Sequence, residues 1–270
     1  MAESVAGSIA DLKAIDMHAH FGSHDRGDGQ LVARMRSGDI DVVRRRAAAS
    51  NVVITVVSCL QTFHPYGGDI IQGNEAAAQA AAEHKDIRFW AVLDPMRKET
   101  YRQVESLLCR RGCAGIKIHP VNHRYEIRER GDEIFEFAAA HAALVLTHSG
   151  CVNSFPEDFI PFANRYPAVR LILGHLGNSA DGIVTRQVYA LMRAEAGNVY
   201  TDTSSAMSIN CGLIEWAVEQ AGADRILFGS DSPLYSVAAH RARIEYAEMA
   251  DCAKRAVLYE NAAHLLRMAE

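Results

Sequence analysis

The stretch AIDMHAH, residues 14–20, decides the fold, because a short apolar run ends there in polar side chains. Seven further runs of this kind follow at Val52–Val57, Ile87–Leu93, Ala114–Ile118, Ala143–Leu146, Val169–Leu173, Val199–Tyr200 and Arg225–Phe228. Short apolar runs rich in β-branched residues are typical of buried strands. The sequence therefore predicts eight strands, of which the first carries this stretch.

Longer segments with helical spacing separate the predicted strands. They are Asp39–Ser50, Asn74–Lys85, Thr100–Arg111, Asp132–His141, Ala180–Ala196, Cys211–Ala221, Ser236–Ala250 and Asn261–Ala269. Strands that alternate with helices indicate a parallel sheet, and eight such units favour a (β/α)₈ TIM barrel that spans residues 1–270 as one domain. A doubly wound open sheet is the alternative. Its dinucleotide-binding form lacks support, because no GxGxxG motif follows the first strand.

The composition excludes several classes of protein. Hydrophobic residues make up 49% of the chain and charged residues 23%, and the net charge is −5, so no excess of basic side chains is available to neutralise nucleic acid. No apolar run is long enough to span a membrane, and the N-terminus does not resemble a signal peptide. The 6 cysteines form no CxxC motif. We therefore expect a cytoplasmic protein with reduced thiols.

Polar side chains stand at the ends of most predicted strands. In a barrel the carboxyl ends of all strands meet at one rim, and that rim carries the chemistry. Five of the 12 histidines are thus expected to converge there with carboxylates and a lysine. The residues concerned are Asp16, His18, His20, Lys117, His119, His148, His175, Asp202 and Asp231.

The convergence predicts a catalytic metal site. His18 and His20 lie two residues apart on one strand, so their side chains share a face and can share an ion. With His148 and Asp231 they form a predicted ligand set that suits one Zn²⁺, although Mn, Fe or Co would also be accepted. His175 would lie beside the metal as an acid–base or polarising group.

Five motifs in order along the chain resemble the amidohydrolase superfamily, in the branch of the amino-carboxymuconate-semialdehyde decarboxylase-like proteins. They are IDMHAH (Ile15–His20), GIKIHP (Gly115–Pro120), LTHSG (Leu146–Gly150), LGHLG (Leu173–Gly177) and FGSDSP (Phe228–Pro233). The resemblance implies a distorted (β/α)₈ barrel. It also implies that His18, His20, His148 and Asp231 are metal ligands, and that His175 is the histidine that is catalytic in the decarboxylases.

Lys117 and His119 each have two interpretations. The resemblance allows Lys117 to be a carboxylated lysine that bridges a second metal. Alternatively, Lys117 is uncarboxylated, pairs with a carboxylate such as Asp16 or contacts the substrate, and the site holds one metal, which we favour. His119 either contacts the substrate or a ligand, or forms a hydrogen bond within the barrel mouth.

The leading expectation for function is a metal-dependent hydrolase of a small amide, ester or lactone. Metal-activated water would attack, Asp231 would take and return its proton, and His175 would stabilise the oxyanion. The alternative is a non-oxidative decarboxylase in which His175 handles the proton and Arg26 is a possible cationic clamp for the substrate. A non-catalytic metal-binding barrel is a third interpretation. We expect a small-molecule substrate and a homodimer, with no nucleic-acid or membrane partner.

Overall fold

Eight parallel strands form a barrel in the computed structural model, which describes residues 11–25, 27, 29–63 and 68–268. Each strand pairs with the next in the chain, from the first to the eighth, so the open doubly wound alternative is excluded and the predicted (β/α)₈ barrel is confirmed. The strands are β1 (Ala14–Phe21), β2 (Val52–Cys59), β3 (Ile87–Val92), β4 (Cys113–Ile118), β5 (Leu144–Thr147), β6 (Arg170–Leu173), β7 (Val199–Asp202) and β8 (Ile226–Leu227).

Backbone hydrogen bonds between β1 and the segment that begins at β8 close the barrel. The N–H of Met17 donates to the carbonyl of Phe228 at 2.9 Å, the N–H of Asp231 donates to the carbonyl of His18 at 2.7 Å, and the N–H of His20 donates to the carbonyl of Ser232 at 2.6 Å. The seam therefore places the end of β1 directly beside the FGSDSP segment.

Helices surround the barrel. They are α1 (Gln30–Arg36), α2 (Ile40–Ala49), α3 (Ile70–Glu83), α4 (Lys98–Leu108), α5 (Pro120–His123), α6 (Ile127–Ala140), α7 (Ile160–Arg165), α8 (Arg186–Met192), α9 (Leu213–Ala221), α10 (Val237–Glu245), α11 (Asp251–Arg255) and α12 (Asn261–Leu265). Asp39 and Asp69 cap α2 and α3 by accepting a hydrogen bond from a backbone N–H in the first turn. None of the described helices is long and apolar enough to cross a membrane.

Several of the predicted helices extend beyond the observed ones. The predicted helix over Ala180–Ala196 is too long at both ends, since α8 covers only Arg186–Met192. At its start, Gly182 has φ 79° and the Asp181 carboxylate accepts a hydrogen bond from the N–H of Ile183, which makes a turn before α8. Ser236–Ala250 likewise contains only α10, since the chain bends before α11. Helical spacing alone does not reveal such interruptions.

Buried side chains form two layers. The inner layer fills the barrel and contains Met17, Trp90 and Leu146, and the indole N–H of Trp90 donates to the carbonyl of Met17 at 3.0 Å. Ala262 and Leu265 of α12 pack against this layer. The outer layer lies between the strands and the surrounding helices. The barrel is thus packed below the mouth, and the polar residues gather at the carboxyl ends of the strands.

Candidate active site

A cavity of about 190 Å³ opens at the carboxyl ends of the strands. Its walls combine four of the predicted histidines with apolar and amide side chains. The lining residues are His20, Leu60, Phe63, His119, Asn122, His148, His175, Asn178, Ser205, Asp231, Leu234 and Tyr235. The predicted convergence of histidines at one rim is therefore observed, with His18 packed against His20 and His175 at ring-centroid distances of 5.4 and 4.6 Å.

His18, His20 and Asp231 form a compact group of potential metal ligands. The Nε2 atom of His20 lies 3.0 Å from Oδ1 of Asp231, and the Nε2 atom of His18 lies 3.9 Å from the same oxygen. All three side chains are buried, and one ligand atom from each lies within 4.8 Å of those of the others. Two imidazole nitrogens and a carboxylate are donors that a divalent transition-metal ion accepts.

Contacts at Nδ1, the ring nitrogen that does not face Asp231, orient these two histidines. Nδ1 of His18 lies 2.8 Å from Oδ2 of Asp202, so the ring donates there and presents the lone pair of Nε2. Nδ1 of His20 lies 2.9 Å from the hydroxyl of Ser58, which can accept or donate. Both rings can therefore offer Nε2 to an ion, and the donor set fits a divalent metal.

The charges in the group also suit a cation. Burial would raise the pKa of Asp231, but the hydrogen bond with His20 and the nearby imidazoles outweigh it and hold the pKa below its usual value. Burial lowers the pKa of His20. Asp231 therefore supplies a negative charge, and burial favours the neutral form of the His20 ring, both of which suit a positive ion.

His175 belongs to a second group, with His18 and Asp202. Its backbone N–H donates to Oδ1 of Asp202 at 2.9 Å, and its Nδ1 lies 2.8 Å from the hydroxyl of Ser204. Burial lowers the pKa of His175 to about 4, so the ring is neutral at pH 7. Since Ser204 also donates to the Asp202 carboxylate, the Nδ1–H of His175 donates to Ser204 and its Nε2 is left as a proton acceptor.

His148 lies in the cavity but outside both ligand groups. Its Nε2 is 3.3 Å from Sγ of Cys151, and its ring stacks on His119 with a centroid distance of 4.3 Å and an interplanar angle of 7°. It contacts His175 edge-on at 4.7 Å. The role of His148 as a ligand stays a prediction, because its Nε2 faces Cys151 and the ring joins neither group of potential ligands.

Lys117 points into the centre of the barrel, where its Nζ lies 2.8 Å from Nε2 of His18. Burial lowers its pKa to about 8, against the opposing effect of Asp202 and Asp231. The suggested pairing with Asp16 is wrong. The carboxylate of Asp16 instead accepts a hydrogen bond from the N–H of His18 within β1 at 3.1 Å. It also accepts one from the hydroxyl of Ser230 at 2.5 Å, which joins β1 to the segment after β8.

Sequence reasoning missed several residues of the site. These are Ser58, which orients His20, and Asn122 and Phe63, which line the cavity. Asp202 was expected at the rim from its position at the end of β7, but its hydrogen bond with His18 was not predicted. Arg26, the suggested clamp of a decarboxylase, lies outside the described residues.

The sequence profile of the family described as amidohydrolase matches residues 15–268. No sequence among the curated proteins matches the chain. Solved structures with the same fold include 2,6-dihydroxybenzoate decarboxylase from Rhizobium, with 15% identity, a TM-score of 0.73, and coverage of 95% of this chain and 98% of that chain. Another is 5-carboxyvanillate decarboxylase from Sphingomonas paucimobilis, with 16% identity, a TM-score of 0.72, and coverage of 96% of this chain and 100% of that chain.

A third similar structure holds a metal. It is 5-carboxyvanillate decarboxylase from Novosphingobium aromaticivorans complexed with manganese and 4-hydroxy-3-methoxy-5-nitrobenzoic acid, with 14% identity, a TM-score of 0.75, and coverage of 99% of this chain and 100% of that chain. At this identity the likeness establishes the shared fold, while the reactions and ligands are those of the other proteins.

The expectation of a hydrolase of a small amide, ester or lactone is wrong by this comparison. Several of the similar structures that cover almost the whole chain are decarboxylases, which favours the alternative expected from the sequence. The five motifs could not separate the two reactions. They carry the predicted metal ligands, and both expected reactions rely on the same predicted set.

Proposed function

The chain belongs to the amidohydrolase family, and we propose that it is a metal-dependent, non-oxidative decarboxylase of a small aromatic carboxylic acid. The observation that carries the proposal is the buried group of His18, His20 and Asp231 beside a neutral His175 in a cavity with an aromatic wall. The similar decarboxylase structures support the choice of reaction.

We propose that His18, His20 and Asp231 hold a single divalent ion. When bound, such an ion supplies positive charge that attracts the substrate carboxylate and polarises it. Manganese is the first ion to test, because one similar structure contains it, and zinc is the second. His148 is a further ligand in this proposal if its ring leaves Cys151.

The cavity itself favours loss of CO₂. Leu60, Phe63 and Leu234 line it, so a bound carboxylate loses much of its hydration. A carboxylate that becomes neutral CO₂ no longer needs that hydration, and a partly apolar site therefore favours the product side. The volume of about 190 Å³ is below the roughly 300–1,000 Å³ of pockets for drug-sized ligands, in keeping with a substrate of one ring.

His175 is the proposed proton donor. Decarboxylation adds one proton to the ring carbon that carried the carboxylate, while the electrons of the broken C–C bond return to the ring and CO₂ leaves. In the metal-free protein burial lowers the pKa of His175 to about 4, so its Nε2 is free to accept a proton. In this proposal His175 Nε2 takes that proton from solvent and passes it to the ring carbon.

The test measures CO₂ release from a panel of hydroxylated benzoic acids by protein loaded with Mn²⁺ or Zn²⁺. Carboxylate release from amides, esters and lactones is measured in parallel. CO₂ from at least one acid, lost in His20→Ala and kept in His84→Ala on the outer surface of the barrel, supports the proposal. Turnover confined to the amide, ester and lactone panel would refute it.

All six cysteines are unpaired, which agrees with the cytoplasmic location that we propose.

A further inference from the structure

We propose that Gln187 is a positioning residue for His175, and that its side-chain amide fixes the turn that carries the His175 ring. The inference rests on the decarboxylase function proposed above, since that function assigns the proton transfer to His175. Gln187 is not among the residues that line the cavity. It therefore acts through His175 rather than on the substrate.

Gln187 lies in the first turn of α8, and its side chain is completely buried. Its Oε1 accepts a hydrogen bond from the N–H of Gly177 at 3.2 Å, and its Nε2 donates to the carbonyl of Asn178 at 2.8 Å. These contacts fix which end of the amide is the oxygen, because a backbone N–H needs an acceptor and a carbonyl needs a donor. A buried amide costs free energy unless it is paired, and here both ends are paired with the same short segment.

The segment that Gln187 binds is the turn that begins at His175. The carbonyl of His175 accepts a hydrogen bond from the N–H of Asn178 at 2.9 Å, and the φ angles of His175 and Gly177 are 73° and 85°. At the start of the turn, the N–H of His175 donates to Oδ1 of Asp202 at 2.9 Å. Gln187 holds the end of the turn. Contacts at both ends therefore fix the backbone that directs the His175 ring.

Ser149, in the segment after β5, joins the same network of hydrogen bonds. Its hydroxyl donates to the carbonyl of Gly174, the residue before His175, at 2.7 Å. The same hydroxyl lies 3.4 Å from Nε2 of Gln187. The side-chain amide of Asn178 donates to the carbonyl of Ser149 at 2.8 Å. The network therefore extends from α8 through the turn to the segment after β5.

Loss of the Gln187 amide should displace the His175 ring. The N–H of Gly177 and the carbonyl of Asn178 would both lose this partner, and the turn would relax to satisfy them. A displacement of about 1 Å in a reacting group can lower a rate by about 100-fold. Because His175 moves the proton and does not hold the substrate in this proposal, the loss should appear in kcat and leave KM little changed.

The test compares Gln187→Met with Asn198→Leu. Asn198 is the matched control, because its buried side-chain amide also bonds backbone carbonyls, those of Ala163 and Val169, but at the amino end of β7 and away from the mouth. Both variants should have a lower melting temperature than the wild type. With Mn²⁺ and an aromatic acid that the wild type decarboxylates, kcat should fall by about 10–100-fold in Gln187→Met and change little in Asn198→Leu.

A second measurement does not depend on turnover. In Zn²⁺-saturated protein with isotope-labelled histidine, the NMR signal of the His175 ring is identified as the one that is lost in His175→Asn. It should shift or broaden in Gln187→Met and stay in place in Asn198→Leu. Ser149→Ala, which removes only a hydroxyl, should show a smaller change of the same signal, and it replaces Gln187→Met if that variant does not fold.

The outcomes separate this inference from the proposed function. The same kcat in Gln187→Met and Asn198→Leu overturns the role of Gln187, because its side chain would then serve stability alone. A His175 signal that is unchanged in Gln187→Met, or in Ser149→Ala where that variant replaces it, also overturns the role, as does a signal that moves equally far in Asn198→Leu. A wild type that releases no CO₂ from any acid refutes the decarboxylase. A His175 signal that moves in Gln187→Met but not in Asn198→Leu would then leave the positioning role standing.

Discussion

His175 and Asp231 share an unusual backbone conformation. Their φ angles are 73° and 55°, a region that non-glycine residues rarely adopt and that costs about 1–3 kcal/mol for each residue. Hydrogen bonds from each N–H, to Oδ1 of Asp202 and to the carbonyl of His18, hold them there. The conformational strain therefore falls on two residues to which we assign chemistry, and the surrounding hydrogen bonds maintain it.

Replacing His175 by Asn separates catalysis from folding. Asn tolerates positive φ better than His, so we expect the melting temperature to stay within a few degrees of wild type. CO₂ release should fall by roughly 10²–10⁴, the usual contribution of a positioned acid–base group. His84→Asn is the matched control and should keep full activity. Normal turnover by His175→Asn would remove the proton-donor role.

Metal content distinguishes the proposed ligands. We expect His20→Ala to lose most of its bound metal, because His20 faces Asp231 at 3.0 Å. His148→Ala should also lose metal if the sequence-based ligand set is complete, and should retain it if the structural group of His18, His20 and Asp231 is sufficient. Elemental analysis of each purified variant beside His84→Ala measures this. Full occupancy in His20→Ala would exclude His20 as a ligand.

At the residue scale, the sequence predicted that the histidines converge, because each stands at the carboxyl end of a predicted strand and these ends meet at one rim. It could not predict which polar group orients each ring. Ser58 and Asp202 stand far along the chain from the histidines they contact, and only barrel closure brings them together. The buried Nδ2 atom of Asn122, which makes no hydrogen bond within the described part of the chain, is likewise a result of packing that the local sequence does not reveal.

At the scale of elements, the eight strands were predictable because each is a short apolar run. The helices were harder to predict from the sequence. The helices α1, α5, α7 and α11 were not anticipated. α1 and α11 have no buried residue, and α5 and α7 have only four and six residues. Hydrophobic periodicity detects a helix through a buried face that repeats over several turns, and these helices bury no face or are too short for the repeat to show.

An ion pair between α9 and α10 gives a pH-dependent stability. Glu215 accepts hydrogen bonds from Arg243 and from the N–H of Glu248, and these outweigh burial to lower its pKa from 4.5. A lowered pKa in the folded state stabilises the protein above about the unfolded value, and this stabilisation is lost as the pH falls through the folded value. The stabilisation by Glu215 is therefore present at pH 7 and declines below about pH 4.5.

Glu215→Gln should lower the free energy of unfolding by about 1–3 kcal/mol at pH 7, the range for hydrogen bonds to charged groups. The difference from wild type should shrink as the pH is lowered below 4.5. Urea unfolding at several pH values measures it. Glu219→Gln, exposed on the same helix, is the control. A difference that grows towards acid pH would contradict the sign derived for Glu215.

At the scale of the whole molecule, the site depends on closure of the barrel. β1 supplies His18 and His20, the segment after β8 supplies Asp231, and the seam of backbone hydrogen bonds holds the two together. The site therefore cannot assemble before the first and last strands meet. The expected homodimer stays a prediction, which light scattering on the purified protein would check.

Because the ligands come from both sides of that seam, metal binding should stabilise the entire fold. An ion that binds only the folded state stabilises it by about 2.7 kcal/mol at a concentration 100 times its dissociation constant. For a chain of this length 1 kcal/mol corresponds to about 2–4 °C, so saturating Mn²⁺ should raise the melting temperature of the metal-free protein by roughly 5–10 °C. His20→Ala should show little rise, and His84→Ala the full one. If neither Mn²⁺ nor Zn²⁺ changed the melting temperature of the metal-free wild type, the group of His18, His20 and Asp231 would not bind these ions. That result would refute the proposed metal dependence.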